Sequence, residues 1–180
     1  IGKAAGDWTY AFIYDAGNSQ DTTARGIQAA QINYVGFKGV SFDLGDSNTF
    51  FTLDQATSGA DLMFLERSAA ADVATGINTG NYRANAGVRA FGNRYWLGAY
   101  FTGPTSSSDS HTLTAERLGA FQRATYKVLQ TPDYTLHLGI SADELFKTSN
   151  SGVNTPYALS LSDRPALRID PTVFLNTGSL

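Results

Sequence analysis

The chain has 180 residues, no cysteine, a net charge of −3, and 16% charged against 42% hydrophobic residues. This length supports one domain with a sizeable core, and the charge leaves no polybasic surface for a nucleic-acid partner. The missing cysteine excludes a disulfide scaffold and a thiolate metal site, and His111 and His137 lack ligand-type spacing.

Taken in order, the first element is "DWTYAFIY". Trp8, Tyr10, Phe12 and Tyr14 fall on one face, with Asp7, Thr9 and Ala11 opposite and Ile13 as the exception. Period-two alternation of this kind predicts a strand with one apolar face. Segment 26–35 is less clear, with Gln28 and Gln31 on opposite faces, whereas 39–45 sets Val40, Phe42 and Leu44 against Ser41 and Asp43.

The passage from Thr49 to about Asn78 breaks the strand pattern. It is rich in Ala, Leu, Asp and Glu, and Thr57 or Ser58 is placed to cap a short helix containing Leu62, Met63 and Leu65. Roughly thirty residues without strand character between strands is a long connection, and such connections are usually functional.

Alternation then resumes. Segment 82–91 splits Tyr82, Ala84, Ala86, Val88 and Ala90 from Arg83, Asn85, Gly87 and Arg89. Gly92-Asn93 predicts a tight hairpin turn. Segment 94–103 splits Tyr95, Leu97, Ala99 and Phe101 from Arg94, Trp96, Gly98 and Tyr100. Strands are expected over 118–129, 134–141, 156–162 and 172–180, with a turn at Thr131-Pro132-Asp133 and polar loops at 103–112 and 147–155.

No run approaches the ~20 apolar residues of a membrane-spanning helix, which leaves a transmembrane β-barrel open, because its signal lies in alternation. Small and polar residues opposite the apolar rows are unusual for a packed soluble core and suit a wet interior. Short turns alternating with long loops match an outer-membrane meander. Trp8, Tyr10, Tyr14, Tyr95 and Tyr134 fit interfacial girdles; alternatively they are the core of a soluble β-sandwich.

One stretch resembles the phosphate-selective porins of the O and P type. It reads "FTLDQATSGADLMFLERS", with Phe51, Leu53, Asp54, Thr57, Ser58, Phe64, Glu66, Arg67 and Ser68 carrying the resemblance. A second, more modest similarity lies in "SDRPALRIDPTVFLNTGSL", at Arg164, Pro165, Thr177 and Gly178.

The resemblance implies an all-β fold, an antiparallel transmembrane β-barrel in the bacterial outer membrane. Barrels of this family have about sixteen strands, of which this chain would supply about half. Residues 1–180 would form one barrel domain or a fragment of one, and 50–80 an inward-folded, part-helical constriction loop. The implied partners are outer-membrane lipid, small anionic solutes such as phosphate, and two further copies in a homotrimer.

Within that reading, Arg83, Arg89, Arg123 and Lys127 are the pore-lining and selectivity candidates. Arg or Lys at the lipid-facing midplane costs ~2–4 kcal/mol, so these should point inward, where fixed positive charge favours anions. The plainer reading pairs them with inward acids such as Asp43 and Asp133. Asp61, Glu66 and Arg67 are the constriction-loop candidates. Glu66 and Arg67 form a charge pair that holds the loop to the wall or meets solute. Asp61 stands where the family tends to carry a base, and would oppose anion entry.

No catalytic constellation stands out. There is no Gly-x-Ser-x-Gly elbow and no P-loop, and Asp143 and Glu144 are adjacent, so on a strand they point apart. The expectation is a passive pore with no enzyme activity, cofactor or metal. The rivals are a non-channel structural or adhesive barrel and a soluble β-sandwich binding module.

Overall fold

A computed structural model describes residues 2–15, 26–64, 67–78, 82–105, 117–148, 159, 161–163 and 172–178. Its main feature is an eight-stranded antiparallel meander in which every strand pairs with its neighbour in sequence. The strands are β1 (Gly2–Lys3), β2 (Trp8–Asp15), β3 (Gly26–Phe37), β4 (Val40–Ser47), β5 (Arg83–Phe91), β6 (Tyr95–Thr105), β7 (Leu118–Gln130) and β8 (Thr135–Lys147).

Short turns and long connections alternate. Residues 38–39, 92–94 and 131–134 join strands at one end of the sheet, and 48–82 and 106–117 join them at the other. Gly39 takes a left-handed φ of 73° in the first of these turns, a conformation open to glycine at little strain. Thr131 closes the third, its N–H donating to the Tyr134 carbonyl at 2.9 Å.

The burial of the two faces is the reverse of that in a soluble sandwich. Trp8, Tyr10, Phe12, Leu44, Leu97, Phe101, Leu138 and Ile140 are bare on one face, Phe12 with 61% of its surface exposed. On the other face Asn33, Ser41, Asp43, Asn85, Thr102 and Thr125 are buried. A sandwich would press the apolar rows together, since burying apolar surface is the main gain on folding.

The long connection after β4 carries α1 (Leu53–Ala56), a 3₁₀ turn (Gly59–Asp61) and α2 (Ala69–Asn78). The helix expected to contain Leu62, Met63 and Leu65 does not form at 62–64, and Leu65 lies outside the described residues; α1 stands earlier, where Thr52 Oγ1 accepts from the Gln55 N–H at 3.1 Å and caps it. Ser58 does act as a cap, but of the three-residue 3₁₀ turn, through the Ala60 N–H.

The strands expected over 156–162 and 172–180 fall partly outside the described residues. What is described there is a two-stranded ladder of β9 (Ser162–Asp163) with β10 (Leu175–Asn176), separate from the meander. The loops expected at 103–112 and 147–155 lie mostly outside the described residues; where they are described, 103–105 and residue 147 continue β6 and β8 instead.

Candidate functional site

Three cross-strand rows build the polar face. Antiparallel register places Asp43, Gly87, Tyr100, Phe121 and Asp143 in one row across β4 to β8. Ser41, Arg89, Gly98, Arg123 and Ser141 form the next row toward the short turns. Gly45, Asn85, Thr102 and Gly119 form the row toward the long connections. Every member faces the same side because side chains alternate along each strand.

Asp43 is the electrostatic centre of the first row, with 3% of its surface exposed. Ser41 Oγ donates to its Oδ1 at 2.7 Å and Tyr100 Oη donates to its Oδ2 at 2.6 Å. The Arg89 guanidinium reaches the same carboxylate at 3.1 Å. Gly87, between Asp43 and Tyr100, leaves room for the tyrosine ring, which a Cβ there would strike. Burying a carboxylate is costly without such a set of partners.

The loop is seated on this face at two places. At its leading end, Arg123 Nη1 donates to the Phe50 and Thr52 carbonyls at 2.7 and 2.9 Å, and Ser141 Oγ donates to the Phe51 carbonyl at 2.7 Å. The Phe51 ring packs edge-on against Phe121, which stacks on Tyr100 at 5.0 Å between centroids. With Ala74 and Trp96 these rings make the small apolar core between loop and sheet. The Arg123 guanidinium also lies 5.8 Å from the Trp96 ring centroid, within cation–π range.

At its trailing end, Asn78 is fully buried, with 0% exposed. Thr102 Oγ1 donates to Asn78 Oδ1 at 2.6 Å, and Asn78 Nδ2 donates to Asp143 Oδ1 at 3.1 Å. Arg117, just before β7, donates to the Gly76 and Ile77 carbonyls at 2.8 Å each, satisfying acceptors at the end of α2. Burial lowers the Arg117 pKa from its usual value, and Asp143 partly restores it.

The middle of the loop is fastened to itself. Arg67 donates through Nε to the Asp54 carbonyl at 3.1 Å and through Nη2 toward the Thr57 carbonyl at 3.5 Å. The Ser68 N–H and hydroxyl both donate to Asp54 Oδ2, at 3.1 and 3.0 Å. Beyond this clasp, Met63 is 93% exposed and Phe64 is bare. Asp72, on the first turn of α2, has its pKa raised by burial first and then by Asp163, with Arg67 opposing and Asp54 adding.

The sequence-derived candidates are thus dispersed over distinct roles. Arg83 is buried on β5 and donates to the Gly103 carbonyl at 3.1 Å. Arg89 is ion-paired with Asp43, and Arg123 staples the loop. Lys127 continues the Arg123 row on β7, opposite His137, half-buried. Asp61 is exposed in the 3₁₀ turn and Arg67 clasps the loop, while Glu66 lies outside the described residues. Asp133 sits exposed in the 131–134 turn, so it is no wall partner for the arginines. Sequence reasoning missed Asn78, Tyr100, Thr102 and Arg117.

Comparison with known proteins agrees with this architecture. The profile of the family described as phosphate-selective porin O and P matches residues 1–180. Porin O of Pseudomonas aeruginosa is 26% identical over 142 residues, covering 78% of this chain and 32% of that protein. The chain therefore spans about a third of the length of the curated relative it matches, and no solved structure matches it. A bare apolar face, a buried polar face and a stapled loop over the polar side accord with that match: the chain belongs to the phosphate-selective porin O and P family, outer-membrane porins of Gram-negative bacteria.

Proposed function

We propose that the eight strands are part of the wall of a closed barrel, and that residues 48–82 are its constriction loop. The pore passes small anionic solutes by passive diffusion, without catalysis. One observation carries this reading: the loop covers the polar face of the sheet while the apolar face stays bare. Irregular backbone at membrane depth is tolerated where it is roofed by protein or lines a water-filled cavity, not against lipid.

Anion preference follows from how the cations are engaged. Arg89 is neutralised by Asp43 and contributes mainly to the wall. Arg123 is bonded to backbone carbonyls, which are neutral, so its charge still acts on the passage. Lys127 makes no hydrogen bond or ion pair through its ammonium among the described residues. Together Arg123 and Lys127 set a positive field near the loop's leading end. Asp61, exposed on the loop, weakens that field for multiply charged anions such as phosphate.

The bare face also suggests its partners. Trp8, Tyr34, Phe37 and Phe42 make a chain of ring contacts near the 38–39 turn, and Tyr95 and Tyr134 lie beside the other short turns. Aromatics at that level anchor a barrel at the membrane interface. Over β5 to β8 the same face has a trough in which Ala90, Ala99, Ala124 and Ala142 lie among Val88, Leu97 and Ile140, with Gln122 in it. A polar side chain on this apolar face, unpaired among the described residues, suits contact with a second copy better than contact with lipid, and we assign the homotrimer contact to this side.

The test is planar-bilayer recording of the full protein across a salt gradient. The expected result is ohmic conductance with a reversal potential of the anion-selective sign, and a larger current in chloride than in phosphate. Absence of conductance, or a cation-selective reversal potential, contradicts the proposal.

A further inference from the structure

We propose that Asn78 is a positioning residue that fixes the height of the constriction loop on the wall and thereby sets the open width of the passage. The inference rests on the channel reading above and adds to it the group that holds the loop's trailing end.

The geometry around Asn78 is unusually complete. An amide offers two N–H donors and one carbonyl acceptor. Here Nδ2 donates to Asp143 Oδ1 at 3.1 Å and to the Glu144 carbonyl at 3.2 Å, while Oδ1 accepts from Thr102 Oγ1 at 2.6 Å. Thr102 lies on β6 and Asp143 on β8, so the amide bridges over β7, the strand between them. The bridge is possible because residue 119 of β7 is glycine, where a Cβ would collide with Asn78 Nδ2. Arg117, leading into the same strand, holds the last carbonyls of α2. Asn78 is therefore fitted to three strands at once.

The rest of the loop makes this contact decisive. The leading end is held through backbone carbonyls and the Phe51 ring. Within 57–68, Arg67 and Ser68 are fastened to the loop's own Asp54 and Thr57. The position of the exposed Met63–Phe64 tip is accordingly set by its two ends. Without the Asn78 bonds the trailing end is left to Arg117 and the packing of Ala74, and the tip gains freedom to shift.

The experiment compares wild type with Asn78→Leu and Thr102→Val in the full-length protein. Leucine keeps the shape of asparagine and removes all three bonds, while valine removes only the hydroxyl donor. Folding is followed by the shift in gel migration on heating. Asn78→Leu is expected to raise open-pore conductance roughly twofold and to add flickering sub-levels. Amides of 69–78 should exchange faster while those of β6 to β8 stay protected. Thr102→Val should move both readouts the same way by less, and the double variant no further than Asn78→Leu.

A folded Asn78→Leu protein with wild-type conductance, noise and exchange overturns the proposal. If that variant does not fold, Thr102→Val decides alone, and wild-type behaviour in it has the same force. A wild-type protein that does not conduct defeats the channel reading itself, whatever the exchange shows.

Discussion

Phe12 and Ala11 are neighbours on β2 and meet opposite surroundings. Phe12 is bare on the apolar face, beside Trp8, Tyr10 and Tyr14. Ala11 is half-buried, paired across to Gln31 on the face that further along the sheet carries Asp43, Arg123 and the loop. One backbone serves both faces, so the difference lies in what each side is built to touch. The polar face is knitted by an ion pair and side-chain hydrogen bonds, while the apolar face presents bare rings and aliphatic chains. Bare hydrocarbon on one side and a hydrogen-bonded polar face on the other is stable where the outside solvent is lipid.

The largest expected effect comes from putting a charge on the wrong face. Phe12→Arg should destabilise the folded protein in lipid by about 3 kcal/mol, the cost of a guanidinium in the hydrocarbon band. Ala11→Arg should change stability by under about 1 kcal/mol, since surface-like positions tolerate substitution. Equilibrium denaturant unfolding in liposomes measures both, and equal losses would erase the distinction between the faces.

A smaller effect is expected where the loop meets the polar face. Arg123→Met keeps much of the stem and removes two charge-assisted hydrogen bonds to the Phe50 and Thr52 carbonyls. The loss should be about 2 kcal/mol, together with a reversal potential shifted away from anions. If stability falls while selectivity holds, Arg123 is a staple alone.

The alternation that separates these faces was readable in the sequence, because side-chain direction has period two whatever the strands pair with. The split of Arg83, Asn85, Gly87 and Arg89 from Ala84, Ala86 and Val88 stands on β5 as read. The partners of those residues were not readable. Arg89 meets Asp43 only because Ser41 and Gly87 are their register partners across β4 and β5, and register is set by tertiary pairing. Asn78 marked only the end of the passage without strand pattern, and nothing nearby in sequence announces Thr102 or Asp143. Arg123 read as a pore-lining cation or the partner of an inward acid, because the carbonyls it holds lie 71 and 73 residues away.

The smallest effect expected is one of pH. Asp72 has a folded-state pKa raised above 3.8 by burial and by Asp163. A carboxyl so raised favours the seated loop when protonated. Its contribution is complete below the unfolded value and is lost as pH rises through the folded one. Protection of the 69–78 amides in the seated loop should therefore increase modestly as pH falls from neutrality into the carboxylate range. Asp72→Asn should remove that dependence. An opposite slope, or one unchanged in Asp72→Asn, contradicts the assignment.

The most direct test of the central claim uses the two tryptophans, which stand on opposite faces. Trp8 is exposed on the apolar face, and Trp96 packs against Phe50 and Arg123 on the polar one. In vesicles of brominated lipid, the emission lost in Trp8→Phe should be the strongly quenched part, and that lost in Trp96→Phe the unquenched part. Stronger lipid quenching of Trp96 than of Trp8 would turn the sheet inside out and end the account.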